Sequence, residues 1–199
     1  MLPPKVAPIQ VVIIPVMMKN PEVQKKAKEY YELLKKAGIR VKLDDSDRSP
    51  GWKFAEYEMK GIPLRLEVGP RDISNGVCVL AKRNDGQKLV TKEGDVLKEV
   101  ERLMEVIHKE MYQKAFKYLL DHTTEAHSLE ELEKILDRGG YAKVMWCGEQ
   151  ACEDKIKELY QATARCLPFD QVPFEHKCLV CGKKAEKVVF FARAYSNAL

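Results

Sequence analysis

The chain has 199 residues, 45% of them hydrophobic and 32% charged, with a formal net charge of +4. That length allows one large domain or two small ones, each with its own core. No apolar run is long enough to span a bilayer or to act as a secretory leader, so a cytoplasmic protein with neither membrane nor DNA as partner is expected; the small charge neither demands nor excludes a nucleic acid.

QVVIIPV (10–16) is a near-continuous apolar run, as expected of a strand buried on both faces. Asn20 and Pro21 then open a helix as cap and first-turn residue, and Gly38 stops it. IRVKLD (39–44) alternates like a strand, GWKFAEYEMKG (51–61) suits a short helix, and LRLEVG (64–69) alternates again. VCVLAKR (77–83) and QKLVT (87–91) flank Asn84-Asp85-Gly86, a hairpin signal. The order β-α-β-α-β-β-β predicts an α/β domain over 7–94, one mixed sheet flanked by helices.

A long helix is predicted over Asp95–His122, inside a connector spanning 95–127. Val96, Val100, Leu103, Ile107, Met111, Phe116 and Leu119 recur on one face as core. Ser128 and Glu131 then form a capping box that opens a smaller α+β block over 128–195. That block should hold a helix to Arg138, a strand AKVMWC (142–147), a helix over 149–163 and a last strand KVVFFAR (187–193). Residues 196–199 read as a tail, a natural extension or a cloning remnant.

Cys178-Leu-Val-Cys181-Gly182 has the shape of a zinc knuckle: two thiolates three positions apart can face one ion, and the glycine lets backbone amides turn toward sulfur. Cys147 and Cys152 supply a second pair in the same block. Four soft ligands make a closed tetrahedral site for Zn2+, structural because no position stays open for water. The alternative is four small buried thiols with no metal. Cys166 and His176 are reserve ligands, each without a partner at that spacing. A rival enzyme reading, Cys147 or Cys166 as nucleophile with His176, requires a thiol of lowered pKa.

Between Arg40 and Arg83 nine cations accompany seven acids, so the segment is no phosphate-binding basic stripe. Cations and carboxylates together suit guanine, whose N1–H and exocyclic amine donate while O6 and N7 accept. Unpaired RNA bases expose those edges, and aromatic faces such as Trp52 or Phe54 stack on them. Equally, the same charges can serve an exposed sheet edge with pairs such as Glu56–Lys60.

DRSPGWKFAEYEMKGIPLRLEVGPRDI (47–73) resembles the anticodon-binding domain of prolyl-tRNA synthetases of the archaeal and eukaryotic-like type. W-C-G-x3-C-E (146–153), C-x-P-F (166–169), C-x2-C-G-K-x-A (178–185) and A-R-A-Y (192–195) resemble that family's C-terminal zinc-binding-like domain. The resemblance implies the class II synthetase anticodon-binding fold and recognition of the anticodon of proline tRNA, which holds two guanines. By position it makes Arg48, Lys53, Glu67, Arg71 and Asp72 anticodon-contact candidates, with Lys82 and Arg83 on the RNA backbone. Asp72 is the candidate acceptor for guanine N1 and N2, and Arg48 and Lys53 face its acceptors or nearby phosphates. Glu67 and Arg65 could instead simply pair across the sheet. The resemblance also implies a partner catalytic domain that binds ATP and proline and lies outside this chain. Met1 falls inside the family's L-P-P entry motif, so the chain is expected to be an excised fragment that does not activate proline alone. The family's terminal tyrosine matches Tyr195, here followed by Ser196–Leu199. The alternative function is a protein-interaction or scaffold module with a structural four-cysteine zinc site.

Overall fold

The computed structural model describes residues 1–194; the expectations for Tyr195 and the tail 196–199 lie outside them. The chain divides into two compact units, Met1–Lys114 and Ala115–Leu199.

The first unit is built on strands β1 (Val11–Pro15), β2 (Val41–Leu43), β3 (Leu64–Val68), β4 (Val77–Lys82) and β5 (Lys88–Lys92), in the order β2-β1-β3-β4-β5. β1 is parallel to both β2 and β3, whereas β4 and β5 are antiparallel to their neighbours, so the sheet is mixed as expected. Every residue of β1 is buried, which is why its sequence runs apolar without alternation.

Helix α1 (Pro21–Lys36) starts where Asn20 accepts the Glu22 N–H at 2.9 Å and Pro21 fills the first turn. Val23, Ala27, Tyr30 and Leu34 recur at helical spacing and are buried. Ala27, Tyr30 and Leu34 pack with Val11, Ile13, Leu64 and Leu66 on one face of the sheet. Helix α4 (Val96–Asp121) covers that face with Val96, Val100, Leu103, Met104 and Ile107. Buried Leu and Ile side chains of this kind contribute about 1.5–3 kcal/mol each. Partly buried Met111 still packs on this core, and the predicted stripe of α4 stops after it: Phe116 is 47% and Leu119 42% exposed, because α4 runs past the end of the sheet it covers and into the second unit. Helix α2 (Pro50–Met59) takes the opposite face, where Phe54 and Tyr57 pack with Val12, Ile14 and Ile62. A five-residue helix α3 (Pro70–Ser74) after β3 was not expected; Gly69-Pro70 starts it.

The second unit holds β6 (Thr123–Glu125), α5 (Leu129–Arg138), β7 (Tyr141–Trp146), α6 (Gln150–Tyr160), β8 (Ala162–Cys166) and β9 (Lys187–Arg193), with strand order β6-β7-β9-β8. Ser128 caps α5 through the Glu131 N–H as anticipated. Residues 123–125, expected as connector, pair with β7. The predicted helix over 149–163 ends at Tyr160, where Gln161 takes φ 55, and residues 162–166 become an edge strand. One face of this sheet buries Ala142, Val144, Val189 and Phe191 against Leu132, Leu136 and Ile156. The other buries Met145 and Val188 beside Cys152 and Cys178.

Candidate nucleic-acid interface and metal centre

β1, β2 and β3 are parallel, so their carboxyl ends lie at one side of the sheet. From β1 the chain passes through α1 on one face, and from β2 through α2 on the other. That reversal makes a topological switch point, where open α/β sheets place ligands. Arg48, following β2, and Arg71 and Asp72, following β3, belong to this end. Arg48 is exposed with its guanidinium 5.0 Å from the centre of the Trp52 ring, which is itself 46% exposed. Arg71 is exposed and forms no ion pair among the described residues. Asp72 accepts the Gly69 N–H at 2.8 Å through Oδ2, and its Oδ1 accepts nothing among the described residues. At the same end Met17 holds φ 69 with 64% of its surface exposed, a strained backbone no sequence signal announced.

Lys82 and Arg83 stand elsewhere. β4 is antiparallel to β3, with Lys82 opposite Leu64, so both lie at the amino end of β3. Lys82 is 4% exposed, its ammonium 2.8 Å from both Asp85 and Glu110. Burial works against its charge, but those carboxylates outweigh it and raise its pKa. Arg83 is exposed and donates weakly, at 3.4 Å, to the Glu58 carbonyl.

Lys53 is fully buried. Its ammonium donates to the Asp44 carbonyl at 2.9 Å and lies 3.3 Å from the Asp44 carboxylate. Burial pushes the Asp44 carboxyl up, but Ser46, Tyr57 and Lys53 outweigh it, so its pKa stands below the ordinary value. Here Lys53 ties α2 to the end of β2 and presents no donor to solvent. The physical cause is its place on α2: the residue four positions before Tyr57 points inward with it.

Between the two ends lies an open sheet face. α2 covers Val12 and Ile14 of β1, and beyond it the rows Arg65–Ala81–Lys88 and Glu67–Val79–Val90 share that face, with Ala81 and Glu67 buried and Val90 73% exposed. Glu67 accepts from Arg65 Nε at 2.9 Å and pairs with Lys88 at 3.3 Å. Glu58 accepts from Arg65 Nη1 at 3.1 Å. Glu58, Arg65, Arg83 and Lys88 rim a cavity of about 510 Å³ whose floor includes Val12, Ile62 and Ala81. Carboxylates and cations beside an apolar floor match a flat heterocycle with donor and acceptor edges. Glu67 therefore belongs to this network, together with Glu58 and Lys88, which sequence reasoning passed over. The alternation of β3 placed Arg65 and Glu67 on one face, but nothing in the sequence showed that α2 leaves that face open.

In the second unit Cys147, Cys152, Cys178 and Cys181 come together, their sulfurs all within 4.8 Å of one another. Cys147 Sγ lies 3.7 Å from Cys152 Sγ and 3.8 Å from Cys181 Sγ. Four Zn–S bonds of about 2.3 Å in a tetrahedron require sulfurs about 3.8 Å apart. These four residues could hold a metal ion. The knuckle is a tight turn: Cys178 N–H donates to the Lys183 carbonyl at 2.8 Å, Gly182 N–H to the Cys178 carbonyl at 2.9 Å, and Gly182 takes φ 69. Burial pushes the Cys152 and Cys147 thiols up. Burial also opposes the Cys178 thiolate, yet the amides of Cys181, Val180 and Cys147 outweigh it and bring that thiol down to about 7. Cys166 and His176 remain outside the set.

The comparisons with known proteins fall along the same two units. Residues 10–103 match the family model of an anticodon binding domain, and residues 129–195 match the model described as prolyl-tRNA synthetase, C-terminal. The chain is 47% identical over 195 residues to a proline--tRNA ligase of Clostridium botulinum (strain 657 / Type Ba4), covering 98% of this chain and 41% of that relative. The corresponding ligase of Lachnoclostridium phytofermentans is 46% identical, with 98% and 40% covered, and that of Lachnospira eligens 44%, with 98% and 41%. The chain thus spans about two-fifths of the length of the curated relatives it matches. With the anticodon-binding model falling on the mixed sheet of the first unit and the C-terminal model on the four-cysteine block of the second, the chain belongs to the prolyl-tRNA synthetase family, of which it carries the anticodon-binding and C-terminal domains.

Proposed function

We propose that the first unit binds the anticodon loop of proline tRNA and reads its guanines, in support of ATP-dependent prolyl-tRNA formation by a catalytic domain outside this chain. The observation that carries this reading is the face of β3, β4 and β5, where Glu58, Arg65, Arg83 and Lys88 line one cavity with an apolar floor, and Glu67, buried and outside that lining, pairs with both Arg65 and Lys88. A guanine needs acceptors for N1–H and the amine and donors for O6 and N7, and that face offers both. Asp72, Arg71 and Arg48 extend the surface along the carboxyl ends of the strands, where Asp72 Oδ1 offers an acceptor. Lys82 and Arg83 line the same cavity at the amino end of β3, Lys82 already paired with Asp85 and Glu110, and Lys53 supports the surface from within. The chain spans about two-fifths of the ligases it matches, and proline activation with ATP is assigned to the part of such an enzyme outside it. Among the described residues no helix is long and apolar enough to cross a membrane, and a synthetase acts where tRNA is, so the cytoplasm is the compartment proposed.

The second unit carries a structural Zn2+ on Cys147, Cys152, Cys178 and Cys181, supported by sulfur spacings that fit a tetrahedron. The test is a titration at fixed salt of this chain on proline tRNA and on the same tRNA with both anticodon guanines replaced. Preference for the unaltered tRNA supports base reading. Equal binding, weakened steeply by salt, would reduce the interaction to phosphate attraction.

A further inference from the structure

The Arg65 guanidinium carbon sits 4.0 Å from the centre of the Phe54 ring, the shortest cation–ring approach among the described residues. Two carboxylates hold the same group from its edges, Glu67 on Nε and Glu58 on Nη1. Nη2 has no partner among the described residues, and the Arg65 side chain, 13% exposed, lines the cavity. Lys88, 5.8 Å from the same ring, braces Glu67 from the other side. A free arginine must give up rotamer freedom to bind; one already seated on a ring and fixed by two carboxylates gives up little. Phe54 is partly buried, and its neighbours Val12, Ile14, Tyr57 and Ile62 fix the ring itself.

We propose that Phe54 is a positioning residue for guanine recognition: its ring seats Arg65 so that the guanidinium presents its remaining N–H groups to the O6 and N7 acceptors of a base in the cavity. The inference rests on the reading of this face as RNA-binding, and it assigns Phe54 a role other than stacking on the base. Leucine at this position keeps the apolar bulk and loses the π face, whereas tyrosine keeps both.

The experiment compares Phe54→Leu and Phe54→Tyr, each alone and with Arg65→Ala, in two arms. In the first, without RNA, the side-chain Nε–H resonance of Arg65 is followed by NMR, assigned by its disappearance in Arg65→Ala. Phe54→Leu should shift and broaden that signal, and Phe54→Tyr should leave it sharp. In the second arm, binding is measured to a synthetic anticodon stem-loop with both guanines and to one lacking them. Phe54→Leu should weaken the first about 5- to 20-fold, leave the second unchanged and cost nothing further beside Arg65→Ala. Phe54→Tyr should stay within about twofold of the unsubstituted chain. An unmoved Arg65 resonance in Phe54→Leu, or an equal loss of binding with Arg65 already removed, overturns the proposal. Equal binding of both loops by the unsubstituted chain overturns the RNA reading instead, and the NMR arm still decides whether Phe54 seats Arg65. Should Phe54→Leu melt more than about 3 °C lower, Phe54→Met replaces it in both arms.

Discussion

Asp72 holds two tasks that substitution can separate. Its carboxylate accepts the Gly69 N–H and so closes the turn into α3. Asp72→Asn keeps an acceptor for that amide but loses the carboxylate a guanine donor edge requires. We expect Asp72→Asn to weaken binding to the unaltered anticodon loop by about 1–3 kcal/mol, with little loss on a loop lacking the guanine. Asp72→Ala should add a stability loss of about 1 kcal/mol, seen in a denaturant melt. Equal losses on both loops would remove Asp72 from base reading. Lys53 tests the opposite case, a sequence candidate turned structural. With its side chain 1% exposed and Asp44 at 7%, removing the ammonium strands a buried carboxylate. Lys53→Met should cost about 3–5 kcal/mol of stability while the loop preference of the remaining folded protein is unchanged. The same pair sets a pH dependence. The Asp44 carboxyl is held below its ordinary 3.8, so its stabilisation is whole above that value and fades as pH falls through the lowered folded value. The stability difference between the unsubstituted chain and Asp44→Asn should be flat above about pH 5 and shrink in acid. Had Asp44 gained nothing from its partners, the difference would not change with pH.

Elements were legible where one local rule decided them. The Asn20 cap, the apolar run of β1, the Asn84–Gly86 turn and the Ser128 cap each act within a few residues, and the structure follows them, although the Glu131 carboxylate accepts the His127 N–H where a full capping box would use that of Ser128. The elements missed are those that partners create. β6 is three residues long and exists because β7 offers it an edge. β8 follows a helix ended by a left-handed glutamine, a conformation few side chains favour and no sequence pattern marks. The cysteine site was legible because ligand spacing is itself local in each pair. The open face of β3–β5 was not, since exposure there depends on where α2 lies. Gly140 shows the cost of such partner-made geometry: with φ +139, a Cβ there would lie 2.5 Å from the His122 carbonyl, the group that accepts the Tyr141 N–H. Gly140→Ala should therefore destabilise the second unit by more than about 1 kcal/mol in a denaturant melt, and no change would mean the backbone relaxes freely. The knuckle gives the matching metal prediction. Chelation should lower the melting temperature of the second unit by about 10–20 °C, if bound zinc stands near 100-fold above its dissociation constant. An unmoved transition would leave the four thiols as plain core.

The two units differ in what they can do apart, because each closes its own core. α1, the sheet and α4 as far as Ile107 enclose the first core, and α4 residues beyond Met111 add nothing to it. α5, α6 and the second sheet enclose another. Every anticodon candidate and the whole open cavity fall before residue 114. If base reading resides on β3–β5 and the carboxyl ends beside it, a chain ending at Lys114 must fold and keep the preference. We expect residues 1–114 to melt cooperatively and to distinguish the unaltered anticodon loop from one lacking its guanines with a ratio within about twofold of the full chain. The salt dependence separates the two surfaces further. Arg65 and Lys88 already neutralise Glu58 and Glu67, so few phosphates are engaged there and the slope of log affinity against log salt should be shallow. Lys82 is likewise occupied by Asp85 and Glu110. A shallow slope with preserved discrimination places recognition in base edges. A steep slope with the preference lost on truncation would instead make backbone attraction the dominant contact and move specificity to residues beyond 114.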